Sequence, residues 1–149
     1  VRWPFADLLG MRAKSVGDGR ARFELAVDGA HLNPNGVVHG GVIYSLADTA
    51  MGAALVSRLD PGEQCATLEI KMQYLLPVTR GTIAAEAGVV ERTRRIGVLE
   101  ARVSDDGDRL VALATGTFYI QPARPAPMGR STDAAGGAGI APLDPASDP

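Results

Sequence analysis

The sequence predicts an α+β domain in which an antiparallel sheet of about six strands wraps one long helix. Three observations carry this expectation. The stretch from Gly40 to about Leu59 has helical length, is apolar or small on every side and holds one carboxylate, Asp48, in its first eighteen residues; a helix without a polar face must be covered by the rest of the fold. Two runs of strand character precede it and four follow, separated by Gly, Pro and Asp. The 149 residues, 46% hydrophobic and 21% charged, suit one domain with one sizeable core.

The elements follow in order. "MRAKSV" and "RARFELAV" flank Gly17-Asp18-Gly19, a turn sequence that predicts a hairpin. An irregular loop, Asn33 to Gly36, leads into the helix, which Pro61-Gly62 is expected to stop. Four strand-like runs follow: "ATLEIKMQYLL", ended by Pro77, then "GTIAAEAGVVER", "GVLEARVSDD" and "RLVALATGTFYI". In the third, Val98, Glu100 and Arg102 alternate with Leu99, Ala101 and Val103, so one face should be wet and the other buried. Asp106-Gly107 marks a second hairpin. Residues 122–149 hold six of the ten prolines, four glycines and no aromatic. Such a composition cannot bury enough apolar surface to offset its ordering entropy, so residues 1–121 are read as the domain and the rest as a disordered tail.

Composition also bounds function. A formal net charge of −2 argues against a general nucleic-acid surface, which is normally basic. One cysteine, Cys65, rules out an intrachain disulfide and fits a reducing compartment. With two histidines and that thiol, a closed Cys/His zinc site is not expected, and no metal, flavin or nicotinamide motif is visible. The first sixteen residues lack the apolar run and cleavage site of a signal peptide, which points to the cytoplasm. Eighteen residues with one charge formally raise a membrane span. An Asp at the centre of a lipid-exposed helix costs about 2.5 to 3.5 kcal/mol, and most of its neighbours are small, so a helix buried in its own protein is the better reading.

The segment "HLNPNGVVHGGVIYSLADTAMG" resembles the signature of the hotdog-fold acyl-CoA thioesterases, in the branch of the phenylacetate-pathway thioesterase. Its most specific part is Asn33 six residues before His39, the glycine pair Gly40 and Gly41, and Asp48 nine residues after the histidine. The similarity runs from about Met11 to Ile120 and includes the later "YLLP". It implies a long helix gripped by an antiparallel sheet, assembled as homodimers and often as dimers of dimers, with acyl-CoA as substrate and no separate cofactor, since CoA is part of the substrate.

The chemistry can be examined apart from that likeness. Thioester hydrolysis needs a donor for the oxyanion and a group that activates water or attacks the carbonyl. A helix starting at Gly40-Gly41 offers unpaired amides and the positive end of its dipole, with no side chain in the way. Asp48 lies eight residues further along, roughly 12 Å at 1.5 Å per residue. Both groups must stand within about 3 Å of one reacting centre or its water, so one chain cannot easily supply both. A second helix running antiparallel would bring its own Asp48 to the first helix's start, placing two sites at a dimer interface.

Gly41, Tyr44, Ser45 and Met51 lie three, four or seven positions from Asp48, as do Gly52 and Leu55. The small ones permit close approach, and Tyr44, Met51 and Leu55 are candidate walls for an acyl group. The resemblance also implies that Asn33 positions the thioester carbonyl, that His39 supports the loop or meets the leaving thiol, that the Gly40 amide is the oxyanion donor, and that Thr67 orients the water or Asp48. Cations at Arg92, Arg94 and Arg95 are implied near the CoA phosphates. Each has a plainer alternative: a turn former for Asn33, a loop support for His39, tight helix geometry for Gly40, an ordinary strand position for Thr67 and a solvated hairpin for the arginines. Asp48 itself has the alternative of a carboxylate merely bonded within the core. Medium-chain or aryl acyl groups are the expected substrates. A noncatalytic acyl-CoA-binding module and an enoyl-CoA hydratase or dehydratase are the competing functions.

Overall fold

The computed structural model describes residues 3–123. Of the expected tail, residues 122–149, all but the first two residues lie outside them. A short helix α1 (Pro4–Leu8) leads into the hairpin β1 (Met11–Gly17) and β2 (Arg20–Ala26), then a 3-10 turn (Gly29–His31), the long helix α2 (Gly40–Val56), and strands β3 (Gln64–Tyr74), β4 (Thr82–Arg92), β5 (Ile96–Asp105) and β6 (Leu110–Gln121). The six strands form one sheet in the order β1-β2-β4-β5-β6-β3, every pair antiparallel. This is the expected architecture, and it is a hotdog fold.

The β1–β2 turn is closed by Asp18 and Gly19, both at positive φ (50° and 76°), the conformation that matches the strands' twist. In β5, Leu99, Ala101 and Val103 are buried while Val98, Glu100 and Arg102 are exposed, as the alternation requires. The helix lies on the sheet's inner face. Its Leu46, Ala47, Ala50, Met51, Ala53, Ala54 and Leu55 are fully buried in one cluster with Phe23, Leu25, Ile83, Leu99, Val103, Val111, Phe118 and Ile120. Alanines on α2 let its backbone come close, and the large sheet residues fill the space left; each large side chain so buried contributes about 1.5 to 3 kcal/mol.

Three local features differ from the sequence reading. The helix ends at Val56, well before Pro61. Ser57 terminates it: its hydroxyl donates to the Ala54 carbonyl (2.7 Å) and accepts from the Gly19 amide (2.8 Å), a tertiary cap that local signals cannot reveal. Helix α1, five residues with Pro4 in its first turn, is too short for a periodic signal. The 3-10 turn is held by a reciprocal cap between Asp28 and His31, and His31, 5% exposed, spans to the Leu9 carbonyl through Nε2 (3.0 Å).

Coverage of α2 is incomplete. Gly41, Tyr44, Ser45, Asp48, Thr49 and Gly52 form a stripe that the sheet leaves at least partly open. Among the described residues no helix is long and apolar enough to cross a membrane, and α2 itself has 17 residues.

Candidate active site

Asp48 sits in the middle of the open stripe, half-buried. The hydroxyl of Thr67 donates to its Oδ1 at 2.9 Å. Thr67 reaches it because β3 carries a bulge: Thr67 pairs with Phe118 but Glu69 with Thr117, which leaves Leu68 unpaired and pointing outward. Burial pushes the Asp48 carboxyl above its ordinary range, and the Thr67 hydrogen bond pulls part of the way back. Cys65, two positions before Thr67 and so on the same strand face, has its thiol pushed up to about 11 by burial and by the charge of Asp48. That thiol is protonated at neutral pH and is no nucleophile. The sequence reading used Cys65 only as a redox indicator and missed its place beside Asp48.

The start of α2 is built by its own loop. Asn33 Oδ1 accepts from the amides of Asn35 (2.9 Å) and Val37 (3.4 Å), which folds the loop; its Nδ2 has no partner among the described residues and remains a donor. His39 is the N-cap, with Nδ1 accepting from the Gly41 amide at 2.9 Å. This corrects the expectation of two unpaired glycine amides: only that of Gly40 has no bond among the described residues. Tyr74, at the far end of β3, donates its hydroxyl to the Gly40 carbonyl at 2.9 Å, a partner the sequence reading did not single out. An apolar groove of about 320 Å³ opens here, lined by Val37, Val38, Gly40, Ile43, Tyr74 and Leu75 among others.

Other expected site residues take different places. Met51 is 0% exposed and lies against Gly116 of β6, so it belongs to the core; it falls on the sheet side of Asp48, where the helix is covered. Leu55 is likewise buried, against Gly97. The Ser45 hydroxyl donates to the Gly41 carbonyl one turn back (2.8 Å), so its proton is spent on the helix. Tyr44 stays partly exposed, close enough to Tyr74 to raise the latter's phenol, whose main cause is burial. Arg92 is corrected: it pairs with Glu63 and with Asp60, so its charge is neutralised within the fold rather than offered to a phosphate. Arg94 is exposed with no ion pair among the described residues, and Arg95 donates to the Tyr119 hydroxyl (3.0 Å) while lying over its ring. The Arg95 carbonyl accepts from Ile120, the cross-strand neighbour of Cys65, so this turn is at the Asp48 end of the sheet.

The candidate site therefore divides into two groups of residues, half-sites, on one chain. One holds a half-buried carboxylate with a hydroxyl partner, the other a helix-start amide without a bond among the described residues, beside an apolar groove. Together they define a fold and donor set suited to acyl-group chemistry. Comparison with known proteins agrees. Residues 35–112, just over half of the chain, match the thioesterase superfamily. The conserved protein PA5202 of Pseudomonas aeruginosa is 38% identical, with a TM-score of 0.77 over 80% of this chain and 95% of that one. A mutant of the phenylacetic acid degradation protein PaaI of Thermus thermophilus is 31% identical, with a TM-score of 0.73 over 78% of this chain and 98% of that one. The 1,4-dihydroxy-2-naphthoyl-CoA hydrolase of Listeria monocytogenes is 26% identical over 79% of this chain and 96% of its own length. The chain belongs to the thioesterase superfamily and is, on that ground, a thioester hydrolase.

Proposed function

We propose that this protein is an acyl-CoA thioesterase of the cytoplasm that hydrolyses medium-chain or aryl acyl-CoA to the free acid and CoA, with no cofactor beyond the CoA of its substrate. The observation that carries the reading is the placement of the two half-sites. Thr67 and Asp48 stand at one end of β3, Tyr74 and Gly40 at the other, and β3 is one of the two edge strands of the sheet, β1 being the other. A second copy whose β3 runs antiparallel along this edge, with the two-fold axis near Ile70 and Lys71, sets the partner's Asp48 beside this chain's Gly40. Exposed Leu68, Tyr74 and Leu75 along the edge give such a contact apolar surface. Two such homodimers pair as a dimer of dimers.

In each site the Gly40 amide, at the positive end of α2, binds the oxyanion that forms as the thioester carbonyl is attacked. Asn33 Nδ2 and the exposed Nε2–H of His39 flank that carbonyl and the sulfur. The acyl group lies in the groove between Ile43 and Leu75, whose 320 Å³ falls at the lower end of the range for small-molecule sites. Asp48, its carboxyl raised by burial, takes a proton from water or attacks the carbonyl itself, with Thr67 fixing its orientation. Arg94 and Arg95 stand at the Asp48 end for the CoA phosphates. The naphthoyl-CoA hydrolase and phenylacetate-degradation relatives support an aryl thioester among the substrates.

The test is thiol release across short, medium, long and aryl acyl-CoAs. Medium-chain or aryl substrates should be turned over fastest. Single turnover in ¹⁸O-water then probes the role of Asp48: direct water attack leaves its carboxylate unlabelled, whereas a mixed anhydride opened by water at the Asp48 carbonyl labels it. No thiol release from any of the panel contradicts the reading.

A further inference from the structure

The Gly40–Gly41 peptide is gripped on both sides. Its carbonyl, that of Gly40, accepts from the Tyr74 hydroxyl at 2.9 Å, and its N–H, that of Gly41, donates to His39 Nδ1 at 2.9 Å. The same two side chains leave little room for anything larger than glycine at either residue. A Cβ at residue 40 would lie 3.2 Å from Tyr74 Cζ, and one at residue 41 would lie 3.0 Å from His39 Nδ1. Neither glycine is at positive φ, so it is close approach and not backbone conformation that favours glycine here.

A chain of hydrogen bonds thus runs from the edge strand through one peptide unit to the imidazole. Donation to a carbonyl polarises its amide and strengthens the N–H of the same unit as a donor. An imidazole whose Nδ1 accepts a backbone N–H is neutral and carries its proton on Nε2. His39 is exposed, so that Nε2–H is available to a ligand beside the Gly40 amide, which has no bond among the described residues.

We propose that Tyr74 is a positioning residue of the oxyanion site, fixing Gly40 from β3 and, through the Gly40–Gly41 peptide, holding His39 in the tautomer that points an N–H outward. This rests on the thioesterase reading for the role of Gly40. A tyrosine that merely filled space at the strand end would do neither through its hydroxyl.

Tyr74→Phe keeps the ring over Gly40 and the groove wall but removes the donor. Assayed in the full chain, well below its melting temperature, it should lose about fivefold to twentyfold in kcat with KM within about twofold, the pattern of a contact that acts in the transition state. A second readout is independent of turnover. Long-range ¹H–¹⁵N spectra of neutral His39, one of only two histidines, should show the Nε2–H tautomer alone in the wild type and a mixture in Tyr74→Phe. Unchanged kcat together with an unchanged tautomer overturns the proposal while thiol release by the wild type leaves the thioesterase reading standing. A wild type that releases no thiol from any acyl-CoA removes both.

Discussion

Two aspartates in this chain meet opposite environments. Asp105, 6% exposed at the end of β5, accepts from the amides of Gly107 (3.0 Å) and Arg109 (2.9 Å) and from the Arg109 guanidinium (2.8 Å to Nε). Those donors, the Arg109 amide first, hold its carboxyl below the ordinary carboxylate range. Asp48, half-buried on α2, has among the described residues one hydroxyl donor and no cation, and burial holds its carboxyl above that range. A carboxylate that serves the fold is saturated with donors; one left short of them keeps proton affinity and an open lone pair for chemistry. The hairpin thus shows a structural use of this side chain, and the helix stripe the environment that the proposed catalytic use requires.

The sharpest way to break this contrast is to neutralise each in turn. Asp48→Asn should cut kcat by about a thousandfold or more, since it removes the proposed base or nucleophile, and leave folding intact or slightly better. The sign follows from linkage. A raised folded pKa means the charged form costs stability once the pH exceeds the ordinary value of 3.8, and Asn never carries that charge. Thiol release and thermal melts at pH 7 check both parts. Asp105→Ala should do the reverse, lowering Tm by roughly 5 to 10 °C through the stranded Gly107 and Arg109 amides while kcat per folded molecule stays at the wild-type level. Because the folded pKa of Asp105 is lowered, its stabilisation is present above the ordinary carboxylate pKa and is lost as pH falls below it through the folded value. The Tm gap between wild type and variant should therefore close in acid. The smallest effect sharpens the comparison: Thr67→Val removes the one bond that lowers the Asp48 pKa, so the acid limb of kcat against pH should move upward.

Much of this was legible in the sequence, because the signals are local. The length and uniform apolarity of α2, the Gly17–Gly19 turn and the alternation in β5 each depend on residues a few positions apart. The candidate site was legible as far as Asn33, His39, Gly40 and Asp48 lie on one loop and one helix. What escaped depends on contacts across the fold. Thr67 meets Asp48 only through a bulge, and Tyr74 meets Gly40 from 34 residues away. Arg92 is spent on Asp60 and Glu63, 32 and 29 residues distant. Met51 is within one turn of Asp48, yet the sheet covers that side of the helix, and sequence spacing does not say where coverage stops. Asp105 was hidden beside Asp106-Gly107, a pair that reads as an exposed turn.

The central claim is that each site draws its carboxylate from one copy and its amide from the other. Gly40 occupies the first helical position, where proline is tolerated, and His39 already has the extended backbone (φ −60°, ψ 134°) that a following proline demands. Gly40→Pro thus deletes the oxyanion amide, with Gly40→Ala as the control that adds a Cβ but keeps the N–H. Asp48→Asn and Gly40→Pro chains, each inactive alone, should on unfolding, mixing and refolding regain activity approaching roughly a quarter of wild type, because half of the dimers are mixed and each has one intact site. A refolded mixture no more active than its two parents would contradict the account.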